Sequence, residues 1–450
     1  MWSRLKNTWS DIRHLVRARD NILDAWPPSH FTREIITVNC LGRWMFVINN
    51  PAGVQQVMVT NGKNYPKSPL SRQTLQPLIG NGLFTSEGEL WQRQRKISSP
   101  VGHGNRLAGY ATTICEAGQG MLAGWRRRET GFEVDVVENF TVLTADIICQ
   151  LMFSYKLGAR VDTLYEAFQE YHATHGRMHL AEILGLPDWL PRPGMLKSRR
   201  AVKKFDGVLY DIIAASRDAN GDIPDNFIQM LIAYRDENGR PMDPRLIRDE
   251  LASIFLAGHE STALTLSWAF YLLERHPAIE TRLHEEIDRV LGGRAPTFAD
   301  VPALVFTRAI IDETLRLYPP VHVFSRQAVA ADEINGLKIP AGSYITISSW
   351  VLHRHTLLWD EPDAFKPDRF LPENSDKIIP FSYIPFGAGS RVCLGKHLGL
   401  LESVLLLAMI AQSFRLRVRE GFVVEPVGRM TLRPRDGMPM RIIPRQPVTS

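Results

Sequence analysis

Cysteine is scarce in this chain, with four in 450 residues, at positions 40, 115, 149 and 393. So few and so scattered, they form no disulfide framework, which fits a reducing, cytoplasmic compartment. Long apolar runs are missing too. Stretches such as Val404–Ala411 fall far short of the ~18 residues that span a bilayer, so no transmembrane anchor is expected, and no secretory signal stands out. There is no Pro/Gly/Ser linker, low-complexity tract or internal repeat. Length alone suggests about three domains, but without a divider the expectation is a single domain over residues 1–450. The Lys and Arg residues are spread along the chain with no recognition motif among them, which argues against nucleic acid. A net charge of +5 and a pI near 9.0 favour acidic partners instead.

What is present is an ordinary globular composition, 44% hydrophobic and 22% charged. At the N-terminus, Trp2, Leu5, Trp9, Ile12 and Val16 recur at helical spacing among Arg4, Lys6, Arg13, Arg17 and Arg19. A packed first helix with a solvated face is the favoured reading. Weak contact with a membrane surface is the alternative.

The most informative segment is Phe386-Gly387-Ala388-Gly389-Ser390-Arg391-Val392-Cys393-Leu394-Gly395. A thiol titrates near pH ~8.5 and needs help to persist as thiolate. Loop glycines let amides approach the sulfur, and Arg391 brings a cation. The apolar run Leu394–Phe414 reads as a helix whose positive end meets Cys393. The other three cysteines read as small buried hydrophobes. A Cys393–His397 zinc pair has no second ligand pair nearby, and Gly395-Lys396 fails as a phosphate loop.

With Phe386, Gly389, Arg391, Cys393 and Gly395 in register, this segment resembles the haem-binding signature of the cytochrome P-450 family. The resemblance implies that the Cys393 thiolate ligates the iron of haem b (iron protoporphyrin IX). It also implies that Phe386 packs beside the sulfur, that Gly387 shapes the loop, and that Arg391 pairs with a propionate. Trp91 and Arg95, at i and i+4 on one helical face, resemble the family's second propionate clamp, and Arg326 is expected to reach a propionate as well.

The longest helix is expected from Pro244 to His276, capped by Asp243 and stopped by Pro277. Within it lies Ala257-Gly258-His259-Glu260-Ser261-Thr262. A mid-helix glycine costs about 1 kcal/mol and an acid in an apolar stretch needs a reason. Packing is one, with Gly258 at a close helix crossing. The other is likeness to the family's oxygen-binding helix, which places Ala257 and Gly258 at the haem and an acid–alcohol pair beside it. Dioxygen activation consumes two protons, and a relay of Glu260 and Ser261 meets that need. The family most often has threonine where this chain has Ser261, so Thr262, the next residue, is also a candidate. Glu313 and Arg316, at i and i+3, together with Arg369 resemble the family's structural Glu-x-x-Arg core.

The implied fold is mainly α with small β-sheets, the haem lying between the long helix and the helix after Cys393. The implied reaction is monooxygenation of a small apolar substrate by O2. Ile254, Phe255, Ala257 and Met430 or Thr431 are expected to line the pocket. Electrons are expected from an acidic ferredoxin or flavodoxin with its NAD(P)H reductase, docking on Lys366, Lys377, Arg391, Lys396, Arg93 and Lys96. A peroxide-using or non-redox haem-thiolate enzyme and a haem-based sensor are the alternatives.

Overall fold

The computed structural model describes residues 20–40, 43–102, 104–154, 160–175, 195–218 and 226–445. The basic N-terminal stretch 2–19 and the proline-rich loop 185–193 lie outside the described residues. The described chain is mostly helical with small sheets. Its main helices are α1 (Gly88–Ser98), α2 (Gly104–Arg126), α3 (Val136–Phe153), α4 (Arg160–His175), α5 (Met195–Asp218), α6 (Pro244–Arg275), α7 (Val305–Leu317) and α8 (Lys396–Ser413).

The long helix α6 forms as its sequence dictates. Asp243 accepts from the Arg245 amide at 2.7 Å, Pro244 occupies the first turn, and Pro277 follows the end. Its 32 residues run about 48 Å. It packs on α3, where a side chain at Gly258 would stand 2.7 Å from Ile148. At the same crossing the Thr144 hydroxyl donates to the His259 carbonyl at 2.6 Å. Gly258 is therefore accounted for by helix packing. α3 is the one described helix long and apolar enough to cross a membrane, and it is mostly buried. α8 packs on α2, against whose Gly118 its Leu406 and Met409 side chains close.

A four-stranded sheet, ordered β1-β2-β4-β3, joins β1 (Ile35–Cys40), β2 (Arg43–Ile48), β3 (Phe324–Gln327) and β4 (Tyr344–Ile347). β2 and β4 pair in parallel, and the other pairs are antiparallel. A bridge beyond β3 sets Lys67 opposite Arg326, two cations that distance in sequence would not bring together. Near the C-terminus, β5 (Pro426–Gly428) and β6 (Leu432–Pro434) make a hairpin turning at Met430. The Leu432 carbonyl accepts from Trp268 Nε1 at 3.3 Å, which fastens this hairpin to α6.

Candidate active site

The structural core sits under the cysteine loop. Glu313 and Arg316, one turn apart on α7, are wholly buried. Arg316 donates to both Glu313 oxygens at 2.6 and 2.8 Å, and its other N–H groups reach the carbonyls of His353, Pro362 and Ala364. Arg369 completes the triad, its Nε 3.5 Å from Glu313. His353 Nε2 accepts from the Ile384 amide at 2.9 Å. Its Nδ1 therefore carries the proton and faces the Arg316 carbonyl at 3.2 Å. Burial pushes the His353 pKa down to about 3, so the ring stays neutral. The triad is thus wired to the strand of chain that enters the cysteine loop.

In the loop, Gly387 and Gly389 both take φ +69°, a conformation open to glycine. A side chain at Gly389 would stand 2.0 Å from the Met58 carbonyl. The Cys393 amide donates to the Phe386 carbonyl at 2.9 Å, closing the loop. α8 begins at Lys396, with Gly395 at its cap, two residues later than the sequence suggested. Cys393 is exposed, yet burial raises its thiol, and the Gly395 amide, Arg95 and Lys396 only partly offset that. Of the nearby cations, Arg95 and Lys396 act on the sulfur, where the sequence suggested Arg391, and a bound metal cation would favour its thiolate.

Near the loop stand four cations. Arg391 stacks on Trp91, its guanidinium 3.8 Å from the ring centroid, donates to the Ser86 carbonyl at 3.0 Å and ion-pairs with Glu87. It is turned inward and leaves the docking patch expected from sequence. Arg95 and Cys393 sense each other's charge. Burial and the neighbouring Arg391 push Arg326 down to about 10 and Lys67 down to about 7. Glu87 is the carboxylate that offsets Lys67, Arg326 and Arg391. A group with two carboxylates would relieve this crowding, which is what a haem with its propionates brings.

On the opposite side, α6 and α8 meet where the Thr262 hydroxyl donates to Glu402 Oε2 at 3.2 Å. Thr262 is buried there, engaged with α8. Back along α6, Ala257 is exposed and Ile254, Gly258 and Ser261 are half-buried in a mostly buried helix. Ala257 is thus an exposed alanine in mid-helix, and Cys393 an exposed cysteine in the loop that leads into α8, which packs on α6. Ser261 donates to the Ala257 carbonyl at 2.9 Å, one turn along from that alanine. Glu260 is buried with Oε1 3.6 Å from Arg433 on β6, and burial raises its carboxyl. Phe255, expected to line the pocket, is buried against Phe205 and stacked on His259.

The sequence profile of the cytochrome P-450 family matches residues 27–436. The chain belongs to this family. Cyclooctatin synthase of Streptomyces melanosporofaciens is 34% identical over 93% of this chain and 89% of that protein. Cyclooctat-9-en-7-ol 5-monooxygenase of the same organism is 33% identical over 82% and 79%. Pentalenene oxygenase of Streptomyces avermitilis is 29% identical over 89% and 88%. The crystal structure of the cytochrome P-450DA haem domain superposes with a TM-score of 0.81 at 26% identity, over 92% of this chain and 90% of that one. The protein is a cytochrome P-450 monooxygenase, and the family implies a haem-thiolate cofactor. The residues fit one: an exposed cysteine, a crowded cationic edge and a small exposed residue in the middle of α6.

Several residues of the P-450 site escaped the sequence reading. Lys67 and Glu87 sit in loops without a pattern, and only the fold brings them to Arg326 and Arg391. Arg433 and His172 come together across 261 positions, at 3.5 Å. Glu402 did carry a signal. It is an acid within the apolar run of α8, the same anomaly that drew attention to Glu260.

Proposed function

We propose that this P-450 inserts one oxygen atom from O2 into a carbocyclic, terpene-like substrate, using haem b and electrons from a separate acidic ferredoxin or flavodoxin. When bound, a thiolate-ligated haem iron activates dioxygen for O–O cleavage. In this reading the Cys393 sulfur would ligate the haem iron. Arg95, Arg326, Arg391 and Lys67 hold the propionates, with Trp91 as the platform under Arg391. Ala257, with only a methyl group, would leave room for the haem and its oxygen, and Gly258 lets α3 press α6 into place.

Proton supply falls to Ser261 and Glu260. The Ser261 hydroxyl is a rotor held to the Ala257 carbonyl, so it can turn without breaking another bond. Glu260 is inclined by burial to keep its proton and by Arg433 to give it up. That balance suits a group that takes and passes protons. Reduction would occur from the face bearing Arg93, Lys96 and Lys396, which are exposed; Lys366 is already paired with Glu361.

The observation that carries the reading is the pair of exposed positions, Ala257 in the middle of α6 and Cys393 just before α8, on two helices that pack together. The substrate class rests on the names of the relatives, which are active on or toward cyclooctatin, cyclooctat-9-en-7-ol and pentalenene. Reconstituted with haem, ferredoxin, reductase and NAD(P)H, the protein is expected to add one labelled atom from 18O2 to a polycyclic alkene. Labelled oxygen entering only fatty acids or aromatic compounds would refute the substrate class. No incorporation from O2, with turnover on peroxide alone, would refute the electron route.

A further inference from the structure

We infer that this P-450 has a second binding site, for a small aromatic carboxylate, whose occupancy steadies the frame under the cysteine loop. The inference stands apart from the reaction proposed above. The site is a cavity of about 360 Å³, lined by Tyr271 and Arg275 on the last turns of α6, Tyr318 just after α7, and Trp350, Arg354 and Phe365 beyond it. Tyr271 lies fourteen residues along α6 from Ala257, about 21 Å of helix. The cavity is therefore separate from the haem site.

Its charge is unbalanced. Arg354 is buried, with 7% of its surface exposed, and its Nη1 has no hydrogen-bond partner. The carboxylate that pairs with it is Asp363, 3.4 Å from Nε, and that side chain is 86% exposed. So solvated a partner offsets little of the cost of burying the guanidinium. Burial pushes the Arg354 pKa down to about 10. Arg275 adds a second, exposed cation to the lining. Two guanidinium groups against one solvated carboxylate select an anion.

The rest of the lining selects a flat apolar body. Arg354 stacks on Trp350, 3.6 Å from the ring centroid, and Arg275 lies over Tyr271 at 5.4 Å. Tyr271 and Trp350 each stand edge-on to Tyr318, at 6.4 and 6.1 Å. Tyr318 is held in turn by stacking on buried Trp268 at 4.1 Å. An aryl group can pack on these rings while its carboxylate accepts from a guanidinium. Inorganic phosphate answers the charge and leaves the rings uncovered, and a neutral arene does the reverse.

The cavity also touches the frame. The three carbonyls that Arg316 grips belong to His353, Pro362 and Ala364. The next residue after each, Arg354, Asp363 and Phe365, lines the cavity. A guest there holds from outside the segments that Arg316 holds from inside, so haem should leave more slowly when it is bound.

The test is calorimetry on the haem-loaded protein with 2-naphthoate, 2-naphthylmethanol and inorganic phosphate, repeated with 4-phenylimidazole saturating the haem iron. Naphthoate is expected to bind with a Kd below about 1 mM, about 10-fold more tightly than the other two, with or without the imidazole. Arg275→Gln should weaken it about 10-fold. Asp363→Asn, which removes the competing carboxylate, should tighten it about threefold. Haem transfer to apomyoglobin should slow about threefold at saturating naphthoate. Equal affinity for the alcohol or phosphate, loss of binding with the imidazole, an affinity that Arg275→Gln leaves unchanged, weaker binding in Asp363→Asn, or an unchanged rate of haem loss would each overturn the inference.

Discussion

Beneath the cysteine loop the Glu313–Arg316 pair and His353 are fully hydrogen-bonded, while on and beside the long helix several buried polar atoms have no partner. Arg316 spends all five of its N–H donors on Glu313 and three carbonyls, and His353 uses both ring nitrogens. On and beside α6, His259 Nε2, His172 Nε2 and Glu402 Oε1 stand without partners. The difference separates two tasks. Holding an iron at fixed geometry calls for a saturated, over-determined frame. Meeting a changing set of protons and a visiting substrate calls for polar atoms left open, at a cost in stability.

The largest effect should come from breaking the saturated side. Glu313→Ala leaves Arg316 buried without its carboxylate, a loss of about 3–5 kcal/mol. Expression should give little haem-containing protein, measured as the ratio of haem absorbance to protein; a normal ratio would mean that the triad does not hold the frame. On the open side the frame should survive and the chemistry fail. Ser261→Ala is expected to bind haem normally while product formation falls roughly 100-fold, with consumed electrons appearing as peroxide. Full coupling in that variant would move the proton relay elsewhere.

Where the two sides join, the effect is smaller and depends on pH. Glu402, bonded to Thr262, has its carboxyl pushed up to about 8 by burial. The folded protein keeps this proton over a range in which the unfolded chain, with its pKa near ~4.3, has released it. Its contribution to stability is therefore complete below about pH 4 and is lost as pH rises toward 8. Glu402→Gln should melt near the parent Tm at pH 5 and above it at pH 8; parallel Tm curves would show that the carboxyl titrates normally. The smallest effect belongs to the outer surface. Lys396→Glu should slow reduction by ferredoxin about threefold at low salt and leave it unchanged at high salt. A rate that ignores both charge and salt would move the docking face.

The same contrast explains what the sequence disclosed. The cysteine loop is local: its glycines, its Phe386 carbonyl and its Cys393 amide lie within ten consecutive positions, so a linear pattern captures it. The Glu313–Arg316 pair is local on one helix, and the length and ends of α6 follow from Asp243, Pro244 and Pro277. The cationic edge and the open side are not local. Lys67 meets Arg326 through a bridge, and Arg433 meets Glu260 and His172 through a hairpin fastened by Trp268. Charges paired across hundreds of positions leave no periodic trace. Gly258 shows a different limit: the anomaly was visible, but its packing reason, the closeness of Ile148, was not.

The most direct test of the account is the absorption spectrum of the reduced carbonyl adduct of the purified, haem-loaded protein, alongside Cys393→His. The parent should show the red-shifted band of thiolate-ligated iron, and the variant, if it retains haem, the band of a histidine-ligated one. A parent spectrum matching that of a histidine-bound globin, or one unchanged by the substitution, would contradict the assignment of Cys393 as the ligand.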